Sequence, residues 1–332
     1  MINDMTLLLH DFELANIEHS TQILSDESNQ TVLWNYQAAC LPEELSCQRL
    51  IKIAEQKRWN PGTDINWLDE SGHDQFPCVK HADPFVGFEE YEALPQQTRL
   101  RISRQQHGME ISDILHGEQL AMLCASQLIS LLPGMEGRLF ASRQVADEAR
   151  HIEFFRAYLT SVTLPVSPPS TAIRELTMTA LQNPHWEIKL LICQILIESL
   201  AMAQFSALLR SSNVGSLRQG LQRIMDDEAR HVKFGADYLA SRFKHHSAEQ
   251  LEVYGNFVID QAFGLAASDN HCVAIAQQFH WDVYRLRQHL RQQRINKPEV
   301  TQRRFRQLSI NLKAAGLMNE AINKRLQPFS GV

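Results

Sequence analysis

The pentapeptide DEARH occurs twice, at 147–151 and 227–231, each time within an otherwise apolar stretch. The likeness runs on: Phe154, Tyr158 and Leu159 recur 80 residues later as Phe234, Tyr238 and Leu239. A lone glutamate stands 30 residues before the acid of each copy, Glu118 before Glu148 and Glu198 before Glu228. Two segments of one design at one offset imply an internal duplication or a shared constraint. Residues three apart on a helix share a face, so Glu148 and His151 reach one point, as do Glu228 and His231. Glu118 falls on a stripe with Ile111, Ile114, Ala121, Met122 and Ala125, and Glu198 on one with Leu191, Ile195, Ala201, Met202 and Phe205. Glu118 and Glu198 therefore point where leucines belong, and with Glu148 and Glu228 they make four carboxylates gathered on one axis.

An unpaired carboxylate in such a place costs several kcal/mol or takes up a proton. Four of them on one axis repel unless about four positive charges sit between them, which two divalent metal ions supply. One Glu from each of two helices and a Glu-x-x-His from each of two others is the donor set of di-iron and di-manganese bundles. Carboxylate-rich ligation without thiolates favours iron or manganese over a structural zinc site. A ligating histidine donates its other ring N–H to an acceptor. The spacing predicts Asp227 for His151 and Asp147 for His231, with Arg150 and Arg230 filling the remaining lone pairs of these aspartates. One Glu-x-x-His alone is a common surface pair; two matched copies, each with its own buried acid, are hard to obtain from packing.

Helix breakers give the layout. A first long helix is expected from Gln97 to Leu132, ending at Pro133-Gly134, and a second from Glu136 to Thr163, ending before Pro165. A crossover with a short helix near 171–181 leads to Asn183-Pro184. A third long helix then ends near Ser212, and a fourth runs from Gly215 to Lys244. Two short connections and one long one is ferritin-like wiring, so the expected class is all-α: a ferritin-like four-helix bundle with additional N- and C-terminal helices. The chain reads as one domain over 1–332. Its di-metal core is 97–244, with an N-terminal helix (42–58) and loops in 1–96 and helices at 248–266, 273–294 and 299–326 in 245–332.

Few glycines and prolines (14 and 12) and scarce strand alternation agree with that class. The most apolar run, 188–209, contains Lys189, Gln194, Glu198 and Gln204, and reads as a core helix rather than a membrane span. The first 20 residues carry early acids and no basic run, which gives no secretory signal. Six cysteines without a CxxC pair suit a reducing cytoplasm, and Cys124 and Cys193 read as core packing. The net charge of −6 is uneven: residues 1–98 hold 17 acids against 5 Lys/Arg, and 281–332 hold 11 Lys/Arg against 3 acids. A solvated basic tail is the plain reading; docking on the acidic N-terminal region, a subunit or a redox partner is the sharper one. No nucleic-acid motif accompanies the charge.

Over about 100–243 the sequence resembles the oxygen-activating branch of the ferritin-like di-iron carboxylate superfamily. That branch includes ribonucleotide reductase small subunits, di-iron monooxygenase hydroxylases, acyl-carrier-protein desaturases and p-aminobenzoate N-oxygenase-like enzymes. The resemblance implies ligands Glu118, Glu148, His151, Glu198, Glu228 and His231. It also implies two iron ions, or Mn/Fe, as cofactor. Departures narrow it. Phe155 stands where reductase subunits carry a radical tyrosine, and Ile224 where N-oxygenase-like enzymes have an extra histidine. Ala201 and Met202 replace the threonine common in hydroxylases. There is no Cys-rich rubredoxin module.

Substrate is expected beside the metals, among Ile114, Ala121, Met122, Ala125, Phe154, Phe155, Ala201, Met202 and Phe205, with Gln194 as a proton-relay or substrate contact. The alternative for these residues is plain core. His107 and His116 read as core or surface residues, and the tryptophans of RWNPGTDINW (58–67) as packing anchors. The resemblance thus implies an O2-dependent oxidase or oxygenase performing hydroxylation, desaturation or N-oxidation on a small or carrier-bound molecule. Glu198 or Glu228 would shift to admit O2, and a ferredoxin or reductase would supply electrons; a homodimer is an admissible assembly. Two other classes fit the motif: a radical-generating or redox subunit, and a ferroxidase-like metal-binding protein.

Overall fold

The computed structural model describes residues 23–25, 31–33, 42–67, 75–266 and 268–330. The first 20 residues and Cys40, from which the absence of a leader and part of the thiol pattern were inferred, lie outside this range. Two short strands, β1 (Ile23–Ser25) and β2 (Thr31–Leu33), pair antiparallel; all other regular structure described is helical.

The bundle consists of α2 (Gln96–Leu131), α3 (Met135–Ser161), α5 (Trp186–Ser211) and α6 (Gly215–Phe243). Helix α1 (Pro42–Gln56) precedes them, and α4 (Thr171–Gln182) lies in the long crossover. The boundaries fall within about two residues of the expected ones, with α3 stopping at Ser161, four residues before Pro165. Pro133-Gly134 separates α2 from α3, and Asn183-Pro184 precedes α5, with the Asn183 side chain accepting from His185 N at 2.9 Å. Ser170 caps α4 by accepting from Ile173 N. Helix α3 ends where Leu164 N bonds Leu159 O at 2.8 Å and Thr163 N bonds Thr160 O at 3.1 Å, with Thr163 at φ 56°. That is a Schellman ending made without glycine.

The C-terminal region is more broken than periodicity predicts. The segment expected as one helix over 273–294 is two, α8 (Asn270–Gln278) and α9 (Val283–Asn296). A Schellman turn splits them, with His280 at φ 55° and Trp281 N bonded to Ala276 O. The expected 299–326 helix divides into α10 (Pro298–Ala314) and α11 (Glu320–Ser330) at Gly316, φ 80°, by the same device. The glycine was a visible signal. The histidine was not, because αL is open to it only at some strain.

These extra helices explain the apolarity of α5. With α7 (Ala248–Ala266), α10 and α11 on its outer side, Leu190 to Leu196 is fully buried beside Val258, Ile259, Leu308 and Ile322. A helix enclosed on every side must be apolar all round. Although α5 is long and apolar enough to cross a membrane, it carries Glu198 into the bundle centre. The basic tail finds acidic company: Arg285 of α9 pairs with Glu89 and Glu90 at 2.9 and 2.8 Å. Gln293 and Lys297 donate to the carbonyls of Val86 and His81. The docking alternative thus holds within the chain, though such exposed pairs contribute little each.

Helix α1 lies across α3 and α6, and the loop after it brings Trp59 and Trp67 against Phe154. Phe154 is fully buried between these rings and Phe155, and its edge faces Gly220 so closely that no side chain fits there. Gly220→Ala should therefore destabilise the protein by about 1–3 kcal/mol through overpacking. Denaturant unfolding monitored by circular dichroism checks this; an unchanged midpoint would mean that the ring can swing aside.

Candidate metal centre

The six side chains picked out by the repeat meet in the middle of the bundle. Glu118 is 5% exposed, Glu198 and Glu228 each 2%, and Glu148, His151 and His231 are fully buried. His151 Nδ1 lies 3.2 Å from Glu118 Oε2, Glu148 Oε2 and Glu228 Oε1. His231 Nδ1 lies 3.2 Å from Glu148 Oε1 and Glu228 Oε2, and 3.9 Å from Glu198 Oε1. Glu148 and Glu228 thus turn one oxygen to each histidine, whereas Glu118 serves one side and Glu198 the other. Two overlapping sets result, Glu118/Glu148/His151/Glu228 and Glu148/Glu198/Glu228/His231, in which the donor atoms lie within 4.8 Å of one another.

This donor set fits a pair of divalent ions. Two ligand atoms at right angles on a metal about 2.1 Å away lie about 3 Å apart, which is the spacing seen here. A single ring proton cannot satisfy three oxygens, and Glu198 Oε2 is buried with no hydrogen-bond partner. Protonation shows the same frustration. Burial, then the charge of Glu228, pushes the Glu118 and Glu198 carboxyls well above their ordinary range. Burial alone would lower the two histidines, but the surrounding carboxylates overcome it and hold both well above theirs. Burial opposes ionisation of Glu148 too, yet the two imidazoles outweigh it and hold this carboxyl well below.

The outer faces of the histidines are fixed as the spacing predicts. His151 Nε2 donates to Asp227 Oδ2 at 3.1 Å and His231 Nε2 to Asp147 Oδ2 at 3.3 Å. Arg150 bonds Asp147 at 2.8 Å and Arg230 bonds Asp227, each three residues along its own helix. Asp227 also accepts from Trp59 Nε1 at 2.8 Å, and the Arg150 guanidinium lies 5.5 Å from the Trp59 ring centre. Trp59 is therefore more than a packing anchor: it is hydrogen-bonded to the aspartate behind His151. Trp67 instead donates to Pro61 O.

Two features of the site escape sequence periodicity. The turns at Leu191–Ile197, just ahead of Glu198, are π-helical, and Ser199 Oγ donates to the Ile195 carbonyl there. Gln144, fully buried one turn before Glu148, donates through Nε2 to Glu148 Oε1 and Glu198 Oε1, both at 3.0 Å. Gln194 Nε2 in turn donates to Gln144 Oε1 at 3.0 Å. The i,i+4 spacing from Gln144 to Glu148 was the available signal.

A cavity of about 410 Å³ reaches Glu118, Glu198 and Glu228 from outside. Ile114, Gly117, Ala121, Ile197, Leu200 and Ala201 wall it near the acids. Asp113, His271, Asp269, Arg294 and Arg304 also line it, and there His271 pairs with Asp113 at 3.0 Å and Arg294 with Asp269 at 2.6 Å. Of the expected pocket residues, Ile114, Ala121 and Ala201 line this cavity. Phe154, Phe155 and Phe205 pack in the adjoining apolar core: Phe155 meets Phe205 between α3 and α5, and Phe154 packs against Trp59, Trp67 and Gly220. Ala125 is fully buried away from the cavity, Met122 and Met202 are half-buried outside its lining, and Gln194 is engaged by Gln144. His107 is a core residue bonded to the Tyr158 hydroxyl at 2.8 Å, and His116 bonds Gln119 and the Ser167 carbonyl. Cys124 and Cys193 are buried free thiols.

A family model described as p-aminobenzoate N-oxygenase AurF matches residues 42–309. Among solved structures, a point mutant of R2-like ligand-binding oxidase with an aerobically reconstituted Mn/Fe cofactor superposes with a TM-score of 0.56. The identity is 15%, over 84% of this chain and 95% of that one. A long-soak structure of that oxidase gives 0.51 at 15% identity, over 78% and 91%. At this identity the likeness is one of fold, and it is the ferritin-like fold. No curated protein matches the chain significantly.

The protonation pattern fixes how the metal-free protein responds to pH. The folded state keeps protons on Glu118 and Glu198 that the unfolded chain releases near 4.5, and on His151 and His231 that it releases near 6.5. Raising the pH past these values favours the unfolded state. The melting temperature of chelator-treated protein should fall between about pH 7 and 9, and fall less once metal replaces the protons. Melts across that range test it; a rise in the metal-free protein would contradict the assignment.

Proposed function

The chain belongs to the p-aminobenzoate N-oxygenase AurF family, and from that premise we propose that Glu118, Glu148, His151, Glu198, Glu228 and His231 hold its two metal ions. The protein is an O2-activating di-iron or Mn/Fe oxidoreductase, and its substrate is a small organic molecule seated in the 410 Å³ cavity. The observation that carries this reading is the position of the cavity: it leads to the side of the centre where Glu118, Glu198 and Glu228 are accessible. A pure iron store or ferroxidase has no need of an apolar chamber there.

When bound, the metal pair supplies electrons to O2 and creates an oxidant strong enough for C–H or N–H bonds. The protein does the rest. Glu148 and Glu228, which turn one oxygen to each histidine, would serve both positions, and Glu118 and Glu198 would each complete one. Asp227 and Asp147 accept the Nε2 protons of His151 and His231, which leaves each Nδ1 lone pair facing inward. Arg150 and Arg230 pair with those aspartates and hold them out of the metal positions. The small residues Gly117, Ala121 and Ala201 leave room for the substrate, and Ile114, Ile197 and Leu200 exclude water from it. Such a wall suits an apolar or aromatic group, free or presented on a carrier.

Hydroxylation, desaturation and N-oxidation all remain within reach of this machinery. Ile224, at the position of the extra histidine of N-oxygenase-like enzymes, is fully buried in an apolar cluster with Phe154 and Phe205. The centre therefore works with two histidines. Electrons from a ferredoxin or reductase have a hydrogen-bonded line inward, Trp59 to Asp227 to His151, and the same line is what a redox-subunit role would use. We assign the enzyme to the cytoplasm, where its free thiols stay reduced.

Anaerobically loaded protein should hold two iron ions per chain and develop a new absorption band on exposure to O2. Glu148→Ala and His231→Ala should each bind fewer than two and lose the band; a variant that retains both ions would refute the ligand assignment. Elemental analysis with optical spectra reads both quantities.

A further inference from the structure

The 80-residue repeat relates not only the ligands but everything that backs them, and here the two halves part company. Gln144 corresponds by that offset to Ile224, Gln194 to Ile114, and Gly235 to Phe155. Three polar or minimal residues thus stand around the Glu198–His231 position, and three bulky apolar ones around the Glu118–His151 position. All six are buried.

The polar trio is interlocked. Glu148 is held ionised and can only accept, so the Gln144 amide turns its NH2 to Glu148, and its second hydrogen goes to Glu198 Oε1. Its carbonyl oxygen is then committed to Gln194 Nε2. Gly235 makes the space: a Cβ there would meet Gln194 Cβ at 2.5 Å and Cγ at 3.0 Å. On the other side Glu118 has only the His151 ring as hydrogen-bond partner among the described residues, and it faces the cavity. Glu198 is held through Oε1, which leaves Oε2 free to ligate a metal ion.

We propose that Gln144 and Gln194, admitted by Gly235, clamp Glu198 and make the two metal positions inequivalent. The Glu198–His231 position is rigid and the Glu118–His151 position is adjustable, while the cavity borders both through Glu118 and Glu198. Gln144 and Gln194 are positioning residues, since they act through the carboxylates. This inference rests on the six-ligand reading above and adds a difference between positions that the ligand set alone does not contain.

Titration of metal-free protein with Co(II), followed by calorimetry and visible absorption, tests it. Wild type should take up two equivalents in two steps of unequal affinity. Gln144→Met preserves volume but cannot donate; it should weaken one step by roughly 10-fold or more and leave the other within about twofold. Gln194→Met should act in the same direction with a smaller effect, and circular dichroism reports whether each variant is folded. If wild type binds no Co(II), both the clamp and the centre fall. If wild type binds two equivalents and Gln144→Met leaves both steps unchanged, or weakens them equally, the clamp alone is overturned.

Discussion

Charge balance in a dry interior governs this molecule. Four carboxylates and two imidazoles share a volume from which water is excluded, and each carboxylate in isolation would give up its charge there. Hydrogen bonding cannot resolve the crowding, because three oxygens compete for one ring nitrogen on the His151 side and the His231 side is crowded in the same way. Cations resolve it. The folding of the bundle and its capacity to hold metal are thus one problem, in which the ions supply what the side chains lack.

Much of the surrounding structure keeps that volume dry and its contents aligned. Helix α1 and the loop bearing Trp59 close one side, through a hydrogen bond to Asp227. Helices α7, α10 and α11 close another, and Asn311 reaches in to bond Ser199, the neighbour of Glu198, at 2.7 Å. Even the basic C-terminal segment contributes, tying α9 to the acidic turn at 89–92 beside the apolar cluster of Phe85, Phe88 and Ile275. The cavity leads through this enclosure to the acids.

The centre was legible because its constraint is severe: an acid on a leucine stripe has few explanations, and a matched second copy removes most of them. Proline and glycine breakers located the bundle helices for the same reason, since each acts through backbone geometry alone. What escaped notice depends on tertiary context. The π-turn ahead of Glu198 has no signature in a run of Leu, Ile and Cys, for the preference lies in what α5 packs against. His280 takes a left-handed conformation that glycine would have announced. Gln144 had a readable spacing, but a glutamine one turn from a glutamate is ordinary until both are known to be buried. Aromatic and methionine positions near the acids were over-assigned to the pocket, because facing the bundle axis does not distinguish a wall from a filler.

Gly117 sits on α2, one residue before Glu118, and a methyl group placed on it would touch nothing within 4 Å. Most positions beside a buried polar cluster are boxed in, so any change there disturbs the cluster itself. Here the chamber has a side with slack. Graded substitution at this position, Ala, then Ser, then Val, would narrow the chamber stepwise without touching the metal-facing side chains. The room beside the acids is thus set by a residue that takes no part in holding them in place.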